Sequence, residues 1–196
     1  MPDLPTGALT FLFTDVEGST RLWEEEPAAM STALARHDAL VRDAIERHDG
    51  YVFMTAGDAF CAAFLNAERA LAAACDAQRA LTTEQWTGPV TIRARMALHT
   101  GDVEVRDSGY FGPPLNRVAR LLAVGHGGQI LLSAATEELL RERLPAGVAL
   151  RDMSCSLGWT ALPSSIRIID RNRILRLLVR CGQRCQRPRD SAETPA

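Results

Sequence analysis

Residues 8–13 form a nearly continuous apolar run, Ala-Leu-Thr-Phe-Leu-Phe, which predicts a strand buried on both faces and ending at Thr14-Asp15. Beyond Gly18-Ser19-Thr20 and Pro27, the residues Met30, Leu34, His37, Leu40, Val41, Ala44 and Ile45 recur at three- and four-residue spacing. That is one long helix, stopped by Asp49-Gly50. Residues 51–55 and 59–64 read as short strands about the turn Ala56-Gly57-Asp58. Asn66 is placed to cap an alanine-rich helix reaching about Leu81. Between 91 and 99, Ile92, Ala94, Met96 and Leu98 alternate with Arg93, Arg95, Ala97 and His99, the period of a half-buried strand. Gly112-Pro113-Pro114 opens a third helix to about Val124, residues 129–132 form a buried strand, and Ser133 caps a fourth helix to Leu144. The order β-α-β-β-α-β-α-β-α predicts an α/β (α+β) fold: a mixed sheet with packed helices, ferredoxin-like in its first half. Further on the periodicity weakens; residues 166–179 read as an arginine-studded amphipathic helix, and 183–196 have the composition of a disordered end.

Composition narrows the chemistry. The chain has 196 residues and 46% hydrophobic positions, enough for one domain of roughly 150 residues and a tail. Lysine is absent, so all 22 basic residues are arginines, against 24 acidic ones. Schiff-base chemistry, a pyridoxal-phosphate lysine and a P-loop lysine are thereby excluded, because a guanidinium cannot replace the amine each of them needs. The charge is uneven: residues 152–196 hold eight arginines and four acids, leaving residues 1–151 with a net charge of −6. An acidic body argues against nucleic acid as partner. No apolar run reaches the roughly 20 residues of a membrane helix, and the N-terminus lacks a basic and apolar leader, so a cytoplasmic chain with no membrane association is expected. Cys61, Cys75, Cys155, Cys181 and Cys185 are odd in number and scattered, and read as reduced thiols.

Three features carry candidate chemistry. Asp15 leaves a buried strand and Asp58 sits in a hairpin turn; if their strands are neighbours, both carboxylates open onto one sheet edge. With the Val16 carbonyl they make a hard oxygen site suited to Mg²⁺ or Mn²⁺, although a strand-end cap and a turn aspartate bonding its own backbone are the plainer readings. Gly18-Ser19-Thr20 precedes a helix and can offer backbone N–H groups to phosphate oxygens, or serve only as an N-cap. Asn116 and Arg120 are four apart and share a helix face. They offer an amide to fix a sugar and a planar cation for charge growing on phosphorus, or else a surface ion pair.

The sequential order of these features is more specific than any one of them. Residues 13–20, Phe-Thr-Asp-Val-Glu-Gly-Ser-Thr, then Thr55-Ala56-Gly57-Asp58, then Leu98-His99-Thr100-Gly101-Asp102, then Tyr110-Phe111-Gly112-Pro113-Pro114-Leu115-Asn116-Arg117-Val118-Ala119-Arg120 closely resemble the class III nucleotidyl cyclases, the adenylate/guanylate cyclase catalytic domain of bacterial, actinobacterial type. The resemblance runs from about Leu4 to Asp152. It implies that Asp15 and Asp58, assisted by the Val16 carbonyl, bind two Mg²⁺ or Mn²⁺ ions over a nucleoside triphosphate. It further implies that Asn116 and Arg120 position the ribose and stabilise the transition state across a head-to-tail homodimer, or across a heterodimer with another cyclase chain. The implied reaction is attack of the ribose 3′-oxygen on the α-phosphorus with loss of pyrophosphate.

Two departures qualify it. Family adenylate cyclases read the base with a lysine four residues before the second metal aspartate and an aspartate or threonine just before Tyr-Phe-Gly. Here those positions are Met54 and Gly109, and neither can hydrogen-bond a purine edge through its side chain. A weak cyclase with poor base discrimination, most consistent with ATP, is therefore expected, and an inactive cyclase-homology module for dimerisation, nucleotide binding or regulation is the alternative. The second departure follows Leu150-Arg151-Asp152, where sequence and charge change together. That places a cyclase domain at 1–152 and an atypical arginine-rich tail, frameshifted or truncated, at 153–196. A sheet without its usual closing strands is the expected consequence.

Overall fold

The computed structural model describes residues 4–106, 109–145, 147–152 and 166–170. Strand β1 (Ala8–Val16) is central and apolar on both sides, as its unbroken hydrophobic run requires. Leu9, Phe11 and Phe13 face one layer and Leu12 the other. The two threonines in this strand are buried without losing hydrogen bonds: Thr10 Oγ1 lies 2.9 Å from Thr100 Oγ1, and Thr14 Oγ1 accepts from the Phe60 amide at 3.2 Å.

Around β1 the chain builds a seven-stranded sheet. Strands β2 (Tyr51–Ala56) and β3 (Ala59–Phe64) form the expected hairpin, and β3 pairs antiparallel with β1. On the other side β1 pairs antiparallel with β4 (Ala94–Asp102), which pairs in parallel with β7 (Ile130–Ser133). The order is β2-β3-β1-β4-β7-β9-β8, completed by β8 (Ala149–Asp152) and β9 (Ile166–Asp170). Two expectations are corrected here. The segment from Ile166 to Asp170 is a strand, not the start of an amphipathic helix, and it pairs antiparallel with both β7 and β8. The sheet therefore does have a closing strand pair. Alternation in Ile-Arg-Ile-Ile-Asp suits a strand as well as a helix over so short a span, and the unpaired β7 edge decides between them. The rest of the expected 166–179 helix and the 183–196 end lie outside the described residues.

Helices α2 (Pro27–Arg47), α3 (Ala67–Thr83) and α5 (Ala134–Leu140) cover one face. Asn66 accepts from the Arg69 amide at 2.9 Å, the cap its position predicts. Alanines 67, 70, 73, 74 and 77 let α3 approach the sheet closely, while Leu71 and Leu81 are buried to the extent that contributes roughly 2–3 kcal/mol each. Helix α1 (Ser19–Glu25), which the periodicity does not separate from α2, ends because Pro27 lacks an amide hydrogen and sits at the first turn of α2.

The other face holds α4 (Pro113–Ala123) and the small hairpin β5 (Glu104–Arg106) with β6 (Gly109–Phe111). That layer buries Ala97 with Tyr110, Val118 and Leu121, so β4 is covered on both sides rather than half-buried. Gly101 marks where α4 docks: a β-carbon there would lie 2.9 Å from Pro114 Cγ.

Candidate functional site

Asp15 and Val16 are the last residues of β1, and Asp58 occupies the β2–β3 turn beside it. Because β3 is hydrogen-bonded to β1, the turn comes back to the exit of β1. The Val16 amide donates to Asp58 Oδ2 at 3.1 Å. The two carboxylates that the sequence singles out thus share one sheet edge. Strand register also sets Arg95 of β4 opposite Asp15. Its guanidinium grips a single carboxylate oxygen, donating to Asp15 Oδ2 from Nε at 2.8 Å and from Nη2. The pair is partly sheltered, with side-chain exposures of 25% for Asp15 and 31% for Arg95.

Sequence reasoning did not single out Arg95, which stood in the polar half of an alternating strand. Only the register of β4 against β1 gives it a partner, and register is invisible until the sheet is assembled.

Gly18 ends the turn after Asp15 in the left-handed region, φ 70° and ψ 22°, and is the N-cap of α1. Among the described residues no side chain caps that helix. Its first amide groups have no intrahelical acceptor and remain available to anions. Among the described residues no three His, Cys, Asp or Glu side chains gather as a ready metal cage. The donor set fits a hard divalent ion that takes its remaining ligands elsewhere: Oδ1 of each aspartate makes no hydrogen bond among the described residues, and the neighbouring backbone carbonyl is oxygen too.

Asn116 and Arg120 are exposed on α4. Pro114, Val118 and Leu121 of the same helix are buried. At 100° per residue, Asn116 and Arg120 flank the pole opposite Val118, so they point away from the sheet that carries Asp15. One chain therefore does not bring them to the two carboxylates. Arg117, on another face, lies near enough to His99 to add to the burial that holds this imidazole below its usual pKa. His99 Nδ1 is 2.7 Å from Ser133 Oγ, and its buried Nε2 has no partner among the described residues.

Comparison with known proteins decides what this arrangement is. Residues 2–154 match the model of the adenylate and guanylate cyclase catalytic domain. The chain belongs to that family. An uncharacterized protein of Mycobacterium tuberculosis is 48% identical to the cyclase domain over 151 residues, covering 76% of this chain and 50% of its own length. The adenylate cyclase of Neurospora crassa is 33% identical over 155 residues, 66% of this chain and 7% of that protein. The chain thus spans half or less of the length of these curated relatives. Among solved structures, an adenylate cyclase of Trypanosoma brucei in its monomeric state superposes with a TM-score of 0.72 at 25% identity, covering 86% of this chain and 90% of that one.

Within the cyclase domain, Met54 lies on the edge strand β2 and is 48% exposed, while Gly109 begins β6. Their chain neighbours meet: the rings of Phe53 and Tyr110 stack edge to face with centroids 5.1 Å apart. This contact ties the β5–β6 hairpin to β2 and brings the segments that hold Met54 and Gly109 to the same side of the sheet. No helix among the described residues is long and apolar enough to cross a membrane.

Proposed function

We propose that the chain converts a nucleoside triphosphate, most consistent with ATP, to a 3′,5′-cyclic nucleotide and pyrophosphate, in composite sites formed by two chains. The observation that carries this reading is the convergence of Asp15 and Asp58, joined through the Val16 amide at 3.1 Å. Cyclase domains use divalent metal ions and act on nucleotides as dimers. Here Asp15, Asp58 and the Val16 carbonyl would hold two Mg²⁺ or Mn²⁺ ions. Such ions lower the pKa of an attacking hydroxyl and steady a leaving pyrophosphate.

The chain's own groups supply the rest. Amides at Gly18, Ser19 and Thr20 bind phosphate oxygens at the uncapped start of α1, a role that needs no lysine. Asn116 orients the ribose and Arg120 faces the charge that develops on the α-phosphorus, where a preorganised cation is most effective. Both point away from their own sheet, so they serve the carboxylates of a second chain, in a head-to-tail homodimer or a heterodimer with another cyclase chain. Base selection is weak, because Met54 and Gly109 present no side-chain hydrogen-bonding group to a purine edge.

The purified protein is assayed with Mn²⁺ and ATP beside Asp58→Ala and Arg120→Ala, each expected to lose at least about a hundredfold in rate. Mixing the two variants forms one intact site in each mixed dimer, and recovery of about a quarter of the wild-type rate is expected from random pairing. Wild-type protein that binds nucleotide but makes no cyclic product would replace this reading with a cyclase-homology module for dimerisation, nucleotide binding or regulation. A preference for ATP over GTP above a hundredfold would contradict weak base selection.

A further inference from the structure

His99 of β4 is 4% exposed beneath α4, and the proposed reaction gives it no task. It ends a chain of sheltered hydroxyl groups. His99 Nδ1 lies 2.7 Å from Ser133 Oγ, which is 3.2 Å from Thr136 Oγ1; Thr100 Oγ1 follows at 3.1 Å and Thr10 Oγ1 at a further 2.9 Å. These bonds join β1, β4, β7 and the start of α5. The other side of the ring differs, since Nε2 is buried without a partner among the described residues. It faces the first turn of α4: a β-carbon on Gly101 would stand 2.9 Å from Pro114 Cγ and 3.6 Å from His99 Nε2. A positive charge on the ring is opposed by burial first and then by Arg117 of α4. The N-terminal end of the α4 dipole opposes it as well.

We propose that neutral His99 is a positioning residue that seats the first turn of α4, and that a proton on its Nε2 unseats the helix carrying Asn116 and Arg120. The catalytic consequence rests on the cyclase reading of those two residues; the seating of α4 does not. In the tautomer that suits the hydroxyl chain, Nδ1–H donates to Ser133 Oγ, Ser133 donates to Thr136, and Thr136 donates to the Leu98 carbonyl at 3.4 Å. Nε2 is then a bare lone pair, which costs less to bury than a charged donor. A proton there makes an N–H that has no acceptor and sits beside a guanidinium. Water must reach it, and α4 is the layer that stands between. The surrounding elements supply no counter-charge: β1 sets Phe11 opposite His99, and Tyr110 on the far side of Phe11 is held neutral up to about 12. Ser133 and Thr136 do not titrate, and although Glu137 follows Thr136 on α5, burial and Arg117 are what shift the imidazole. Asp15 and Asp58 lie at another edge and keep their geometry while α4 moves.

The test compares the full wild-type chain with His99→Asn, whose amide can keep the bond to Ser133 Oγ and cannot take a charge. Hydrogen exchange of the α4 amides, corrected for the pH dependence of the chemical step, is followed from about pH 8 to about pH 5. Wild-type α4 is expected to lose protection several-fold on acidification, with a midpoint below the ordinary imidazole value of 6.5, and His99→Asn to keep it. At saturating Mn²⁺ and ATP, wild-type kcat is expected to fall with the same midpoint, approaching about tenfold per pH unit below it. Any acid limb that His99→Asn retains belongs to the substrate and the carboxylates. Arg117→Gln, a change on the exposed side of α4, removes a charge that opposes the proton and is expected to move the midpoint upward. It decides the matter if His99→Asn does not fold, and an unmoved midpoint there counts against His99. Protection of α4 that is constant with pH in wild type, or that falls equally in His99→Asn, overturns the proposal and leaves the cyclase reading standing. Absence of cyclic product from wild type at every pH overturns the cyclase reading instead, and the exchange result still decides whether His99 seats α4.

Discussion

At the scale of single residues, specificity is the property most open to change. Met54 is exposed on an edge strand, so a longer polar side chain there meets no steric obstacle from the core. At Gly109 an added β-carbon would lie 3.4 Å from Phe111 Cε2, an ordinary contact distance. Both positions can therefore accept the side chains that family adenylate cyclases carry. Met54→Lys with Gly109→Asp is expected to raise the ATP-over-GTP ratio of kcat/KM by about ten- to a hundredfold, because a mismatched base would then leave polar groups unpaired in the site. Product analysis from an equimolar ATP and GTP mixture checks this, and an unchanged ratio would mean that the base is read elsewhere. The carboxylates themselves were legible from sequence because each sits at a position with a visible local cause, a strand exit or a turn. Arg95 was not, since its partner lies 80 residues away and is chosen by register.

At the scale of elements, the strands that position the site also hold groups sensitive to pH. Cys61 of β3 is buried, and burial pushes its thiol from 9.0 up to about 11. A pKa raised in the folded state means that the contribution is complete below pH 9 and is lost as pH rises through about 11. Denaturant unfolding followed from pH 8 to 11.5 is expected to show a loss of up to about 2–3 kcal/mol from this group, a loss that Cys61→Ala removes. Tyr110, held up to about 12 mainly by burial, adds its own loss only at the alkaline extreme. An alkaline limb of the same size in Cys61→Ala would assign the effect to other groups. Legibility at this scale followed local cause as well. The α3 cap at Asn66, the Gly57-Asp58 turn and the Pro-Pro start of α4 were read correctly because three or four residues decide them. The burial of the second face of β4 was not, because α4 and the β5–β6 hairpin that cover it come later in the chain and the hairpin strands span only three residues each.

For the whole molecule, the question is what completes the sheet. β7 lies next to β4 on one side, and on the other side its only described strand partner is β9. β8 in turn is held in the sheet through β9 alone among the described strands. Removing everything after Asp152 would thus take away one strand and strand a second, baring the edge of β7 directly beside the β4 strand that carries Arg95. An uncovered edge of this kind pairs with other chains, so the loss should be read as aggregation as well as lowered stability. Partly buried Leu150, which packs from β8 against the main core, would lose its anchorage at the same time. A chain cut after Asp170 keeps the strand pair and a chain cut after Asp152 does not, although both retain Asp15, Asp58, Asn116 and Arg120. The shorter form is expected to unfold at a lower temperature than the longer one and to aggregate in light scattering. Equal melting temperatures and equal monodispersity in the two would show that the sheet is complete at β7.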